Sequence, residues 1–127
     1  DASTFDTDPF EPQADGVGTI FPFLVQRDDG TGYLELPYTL PQDFTLFILL
    51  REKDISIWKQ KLDWIARHGG MALLNTHPDY MCFKGQPGLE EYPLQHYRDF
   101  LKYVQDEYAG QCWHGLPRVV RQCVCNQ

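Results

Sequence analysis

An apolar run that breaks into Asn75, Thr76, His77, Pro78 and Asp79, within the stretch LLNTHPDYM (Leu73 to Met81), holds the most reactive residue types in this chain. An imidazole titrates near neutrality, so His77 is open to three readings: a proton donor, a metal ligand or a surface histidine. Layered α/β proteins place their sites where strands end in polar, turn-forming residues. Pro78 stiffens the backbone beside His77. In the blander alternative Asn75 and Asp79 only close a turn.

A second polar stretch, ELPYTLPQDFTLF, carries Tyr38, Thr39, Gln42 and Asp43 between two prolines. Those side chains can reach a pocket, or they can simply start a helix at Gln42 and Asp43. Cys112, His114, Cys123 and Cys125 offer four zinc donors near the C-terminus, but neither Cys112–His114 nor Cys123–Cys125 has the usual two-to-four-residue spacer. Trp58 falls on an apolar stripe, while Trp64 and Trp113 can stack on sugar rings or pack against helices. His68, His77, His96 and His114 are too scattered to form a local metal pair, and the sequence has no HExxH, HxxxH, phosphate loop or GxSxG elbow.

The elements that must position these residues follow from periodicity. Residues 1–18 read as an irregular opening loop, rich in Asp, Pro and Gly. TIFPFLV and YLELP read as strands joined by the turn RDDGTG, with Leu34 and Leu36 on one face and Glu35 on the other. LPQDFTLFILL suits a short helix burying Phe44, Phe47, Ile48 and Leu50. DISIWKQKLDWIARHGG is a clearer helix, with Asp54 as N-cap, Ile55, Trp58, Leu62 and Ile65 as its buried stripe, and Gly69–Gly70 as its stop. MALLN has the continuous apolar pattern of a parallel strand buried on both faces. A further helix starts near Pro93 and buries Leu94, Tyr97, Phe100, Leu101, Val104 and Tyr108. A last one covers Leu116 to about Cys123. Helix, buried strand, loop and helix make an α/β protein, here with 3–4 helices and 3–4 strands, and one clear parallel strand short of neighbours.

At 127 residues, 43% apolar and 14% aromatic, the chain can bury one core and belongs to the globular class. Its net charge of −7 opposes nucleic acid and anionic membranes, and leaves neutral ligands such as carbohydrates open. No segment is apolar enough to span a bilayer. Four cysteines are too few for a disulfide scaffold; the redox compartment stays undecided, with reduced thiols and a cytoplasmic setting slightly favoured. The absence of an initial methionine marks a chain processed or taken from a longer one.

Four segments, DASTFDTDPFEP, ELPYTLPQDFTLF, IWKQKLDWIARHGGMALLNTHPDYM and YRDFLKYVQDEYAGQCWHGLP, together resemble the C-terminal half of a polysaccharide deacetylase-like domain (NodB homology, carbohydrate esterase family 4) of bacterial type. The resemblance implies half of a distorted (β/α) barrel. It implies metal-dependent hydrolysis of N-acetyl groups on a glycan or glycolipid, with a divalent metal, typically zinc, carried by first-half motifs this chain lacks. NTHP sits where the family places the histidine that protonates the leaving amine, which makes His77 the candidate general acid. Tyr38, Asp43, Asn75, Thr76 and Asp79 would then line the substrate pocket, although LPY lacks the arginine of the family's RxPY motif. The chain alone is expected to be inactive and to need the missing half, or a second copy, against its sheet edge. The alternative is a non-catalytic carbohydrate-binding or assembly domain.

Overall fold

A computed structural model describes Thr4 and residues 16–125, the side chain of Cys125 excepted. Most of the opening loop anticipated over residues 1–18 therefore lies outside the described residues. Strands β1 (Phe23–Gln26) and β2 (Gly32–Glu35) form an antiparallel hairpin in the register Phe23↔Glu35 to Gln26↔Gly32. The Asp29 carboxylate closes its turn by accepting from the Thr31 backbone N–H and hydroxyl at 2.9 and 2.6 Å. A π-helical segment (Phe44–Leu49), helix α1 (Ser56–His68), a 3₁₀ turn (Pro78–Tyr80) and strand β3 (Met81–Cys82) follow. Strand β4 (Tyr92–Pro93) pairs parallel with β3 and runs directly into helix α2 (Leu94–Glu107); helix α3 (Pro117–Cys125) ends the described chain.

The architecture is mixed α/β, and the described residues form two separate two-stranded sheets with no closed barrel. None of the described helices is long and apolar enough to cross a membrane. The core lies where the π-helical segment, α1 and α2 meet. Trp58 and Leu46 have no exposed surface, and Phe47, Leu62, Ile65, Tyr92 and Phe100 close around them. Phe47 meets Trp58 edge-on at 5.0 Å between ring centroids and Tyr92 at 4.6 Å, and Trp58 reaches Phe100 at 5.1 Å. Tilted and edge-to-face arrangements are those the ring quadrupoles favour.

Helix α1 follows its sequence closely. Ile55, Trp58, Leu62 and Ile65 are all buried; the N-cap position falls on Ile55 and not on Asp54, although the Asp54 carboxylate still accepts from the Ser56 N–H at 2.8 Å just ahead of the helix. Gly69 takes a left-handed conformation (φ 67°), and its N–H and that of Gly70 satisfy the Ala66 and Ile65 carbonyls. A Cβ on Gly70 would lie 2.2 Å from the Ile20 side chain, so any larger residue there would have to displace Ile20.

Three expectations need correction. MALLN is not a doubly buried parallel strand: Ala72 is exposed, Met71, Leu73 and Leu74 are half-buried, and the segment belongs to neither sheet. Its continuous apolar run instead packs one flank against the Thr39 region and leaves the other open. The Thr39 hydroxyl donates to the Met71 carbonyl and accepts from the Leu73 N–H, both at 2.8 Å, doing with a side chain what a neighbouring strand does with its backbone. Leu50 and Leu101 are exposed rather than buried. Leu50 caps the π-helical segment, whose wider turn rotates it away from the face that buries Leu46, Phe47 and Ile48. Glu35 does lie on the face opposite Leu34, yet that face is covered too, and its Oε1 accepts from the Thr4 N–H and hydroxyl at 2.8 Å.

Helix α2 is tied to α1 by two phenols, because the hydroxyls of Tyr103 and Tyr108 donate to Asp63 Oδ1 at 2.8 and 2.6 Å. The hydrogen bond to Asp63, with desolvation and the aspartate charge behind it, pushes both phenols from 10.0 up to about 12. A tyrosine whose pKa is raised by folding stabilises the fold fully below its unfolded value and loses that contribution as pH climbs through the folded one. Stability is therefore expected to decline between pH 10 and about 12. Urea unfolding across that range should show the decline in the wild type and a shallower one in Tyr103→Phe/Tyr108→Phe. An equal slope in both would place the loss elsewhere. Tyr92, raised further still, keeps a residual slope in the variant.

Candidate functional site

Three distant segments converge on one buried carboxylate. Asp43 is the N-cap of the π-helical segment, His77 ends the extended run that Thr39 pins, and Tyr92 is delivered by β4 at the mouth of α2. Asp43 has no exposed surface. Its Oδ1 accepts from the Phe44 N–H at 2.8 Å and lies 2.8 Å from His77 Nδ1, while its Oδ2 accepts from the His77 N–H at 2.7 Å and the Tyr92 hydroxyl at 3.0 Å. Four contacts use the lone pairs a carboxylate offers, which is the condition under which a buried charge is tolerable.

The arrangement fixes the protons. A carboxylate only accepts, so Nδ1 of His77 must donate to it. In the neutral ring Nε2 then carries the lone pair, and on protonation Nε2–H becomes the acid. Nε2 makes no hydrogen bond to the described residues, and the His77 side chain is 38% exposed, so that nitrogen is free to meet a ligand. Burial raises the Tyr92 hydroxyl well above the ordinary phenol range, with the Asp43 charge and hydrogen bond adding to it, so Tyr92 remains a donor. The two backbone bonds to Asp43, from Phe44 and His77, hold the turn and the strand end in register whatever the ring does. Tyr80 packs edge-on to the imidazole at 5.4 Å and limits its rotation.

Of the residues read from sequence, His77 and Asp43 are in direct contact. Asp43 is fully buried, with its carboxylate against the His77 ring and no exposed surface of its own. Asn75 lies on the same side of the extended run as His77, and its amide reaches Gln42 Oε1 at 3.4 Å. Asp79 is exposed beyond the ring. Tyr38 is half-buried, its backbone N–H donating to the Thr4 carbonyl at 2.9 Å. Thr76 points elsewhere: with Leu74, Tyr97, Tyr108, Trp113 and His114 it lines a groove of about 580 Å³ whose walls do not include His77. Alternation along an extended chain accounts for this, since neighbours 76 and 77 face opposite ways.

Tyr92 escaped the sequence reading. A tyrosine directly before the proline that opens a helix has no special pattern, and only tertiary contact reveals its hydroxyl at Asp43. Among the described residues no three His, Cys, Asp or Glu side chains gather as a metal site would need, and Cys112 and Cys123 are exposed free thiols. Trp64 stacks on His68 at 4.1 Å with Lys61 near its ring, while Trp113 stands 60% exposed at the groove. No family model, curated protein or solved structure matches the chain.

Proposed function

We propose that this chain is the proton-transfer part of a carbohydrate deacetylase-like domain, the C-terminal half of a distorted NodB-type barrel. His77 is its general acid, and the substrate is an N-acetylated glycan or glycolipid. The observation that carries the reading is the hydrogen bond from His77 Nδ1 to a fully buried Asp43, itself held by Tyr92 and two backbone amides. A carboxylate behind an imidazole fixes its tautomer, steadies the imidazolium and leaves Nε2 at the surface, which is what proton delivery to a departing amine requires. The substrate class comes from the resemblance of the NTHP, LPYTLPQDF and flanking segments to that family. Among the described residues no group of three donors gathers for the divalent metal that this resemblance implies and assigns to first-half motifs; the residues named here orient the substrate and move a proton.

The test is hydrolysis of N-acetylated chito-oligosaccharide by the natural protein that contains this chain. His77→Asn is expected to lower kcat by about 10²–10⁴-fold with little change in KM. An undiminished kcat would remove His77 from the mechanism. A second reading, carbohydrate binding without turnover, is favoured by the groove beneath Trp113, Tyr97 and Tyr108. It predicts binding of the same oligosaccharide that Trp113→Ala weakens and His77→Asn does not, with no acetate released.

A further inference from the structure

The overall charge of −7 opposes anionic ligands, yet one concavity runs against that average. A pocket of about 350 Å³ opens between β2 and the start of α3, walled by Tyr33, Leu34, Leu36, Pro117, Arg118 and Arg121, with no acidic side chain among the described residues that line it. Its size falls within the about 300–1,000 Å³ typical of small-molecule sites. Arg118 and Arg121 lie three residues apart on α3, hence on one face of the helix. Neither guanidinium makes an ion pair or hydrogen bond with the described residues.

The surroundings favour an anion further. Leu34 and Leu36 are buried and form an apolar base, which weakens dielectric screening of charges above it. Arg27 adds a third positive charge, its guanidinium 5.5 Å from the centroid of the Tyr33 ring. Guanidinium groups present planar donor pairs that match the oxygens of carboxylate and phosphate. We propose that this pocket binds an oxyanion, a carboxylate or phosphate carried by a small ligand, with Arg118 and Arg121 on the oxyanion and Tyr33 against the ligand's body. The proposal does not depend on the deacetylase reading.

Calorimetric titration at constant ionic strength tests it, using inorganic phosphate, glucuronate and, as the uncharged control, glucose. Wild-type protein is expected to bind at least one of the two anions saturably, with a dissociation constant on the order of 1 mM, and not glucose. Preference for phosphate or for glucuronate identifies which oxyanion the pocket serves. Arg118→Gln/Arg121→Gln should weaken that binding by about tenfold. Both side chains are exposed, so circular dichroism is expected to show an unchanged fold. Arg67→Gln, at an exposed position in the last turn of α1, should bind as the wild type does. Absence of saturable binding by either anion, equal binding by the double variant, or an equal loss in Arg67→Gln would each overturn the site.

Discussion

Asp43→Asn is expected to lower the free energy of unfolding by about 3 kcal/mol, although it replaces one oxygen by a group of the same size. The carboxylate accepts from four donors, two on each oxygen. An amide keeps one acceptor and presents N–H groups to the other pair of donors. Whichever way it turns, it faces either the Phe44 N–H and His77 Nδ1 or the His77 N–H and Tyr92 hydroxyl. His77 can relieve one clash only by changing tautomer, and that puts the proton on Nε2 in the neutral ring. Asp79→Asn is the matched control, because Asp79 is exposed, and a change within about 0.5 kcal/mol is expected there. Urea unfolding of the two variants gives the comparison, and similar midpoints would mean that Asp43 is not the keystone the geometry makes it.

Trp58→Ala should have the larger effect on stability, about 3–5 kcal/mol. The indole has no exposed surface, touches Phe47 and Phe100, and donates from Nε1 to the Pro41 carbonyl at 2.7 Å. Truncation leaves a cavity at the centre of the core and an unpaired carbonyl two residues before Asp43. Domains of this size are stable by about 5–15 kcal/mol, so the variant should be partly unfolded in mild urea. Trp64→Ala, at a 40% exposed position on the same helix, is expected to cost under about 1 kcal/mol. Equal losses in the two variants, measured by tryptophan fluorescence and circular dichroism, would contradict the assignment of the core.

Local patterns were legible where local physics decides them. The α1 stripe, its Gly69–Gly70 stop, the β1–β2 hairpin and the helix after Pro93 follow from periodicity and turn chemistry alone. The Met71–Leu74 run was misread because continuous apolarity does not distinguish a strand inside a sheet from an extended segment held on one flank by a threonine hydroxyl. Leu50 was misplaced because the 3.6-residue period does not describe a π-helical turn. At the site, His77 and Asp43 stood out as residue types, but their relation did not. They are 34 positions apart, Tyr92 lies 49 beyond Asp43, and pairing over such separations leaves no local trace.

Buried Asp43 holds His77 with Nδ1 protonated and Nε2 left for proton transfer. Long-range ¹H–¹⁵N correlation spectra of the His77 ring, recorded where the ring is neutral, test it directly. The structure predicts the Nδ1–H tautomer in the wild type and a weakened preference for it in Asp43→Ala, which removes the acceptor altogether. A wild-type ring protonated mainly on Nε2, or a tautomer balance unchanged by Asp43→Ala, would contradict this arrangement.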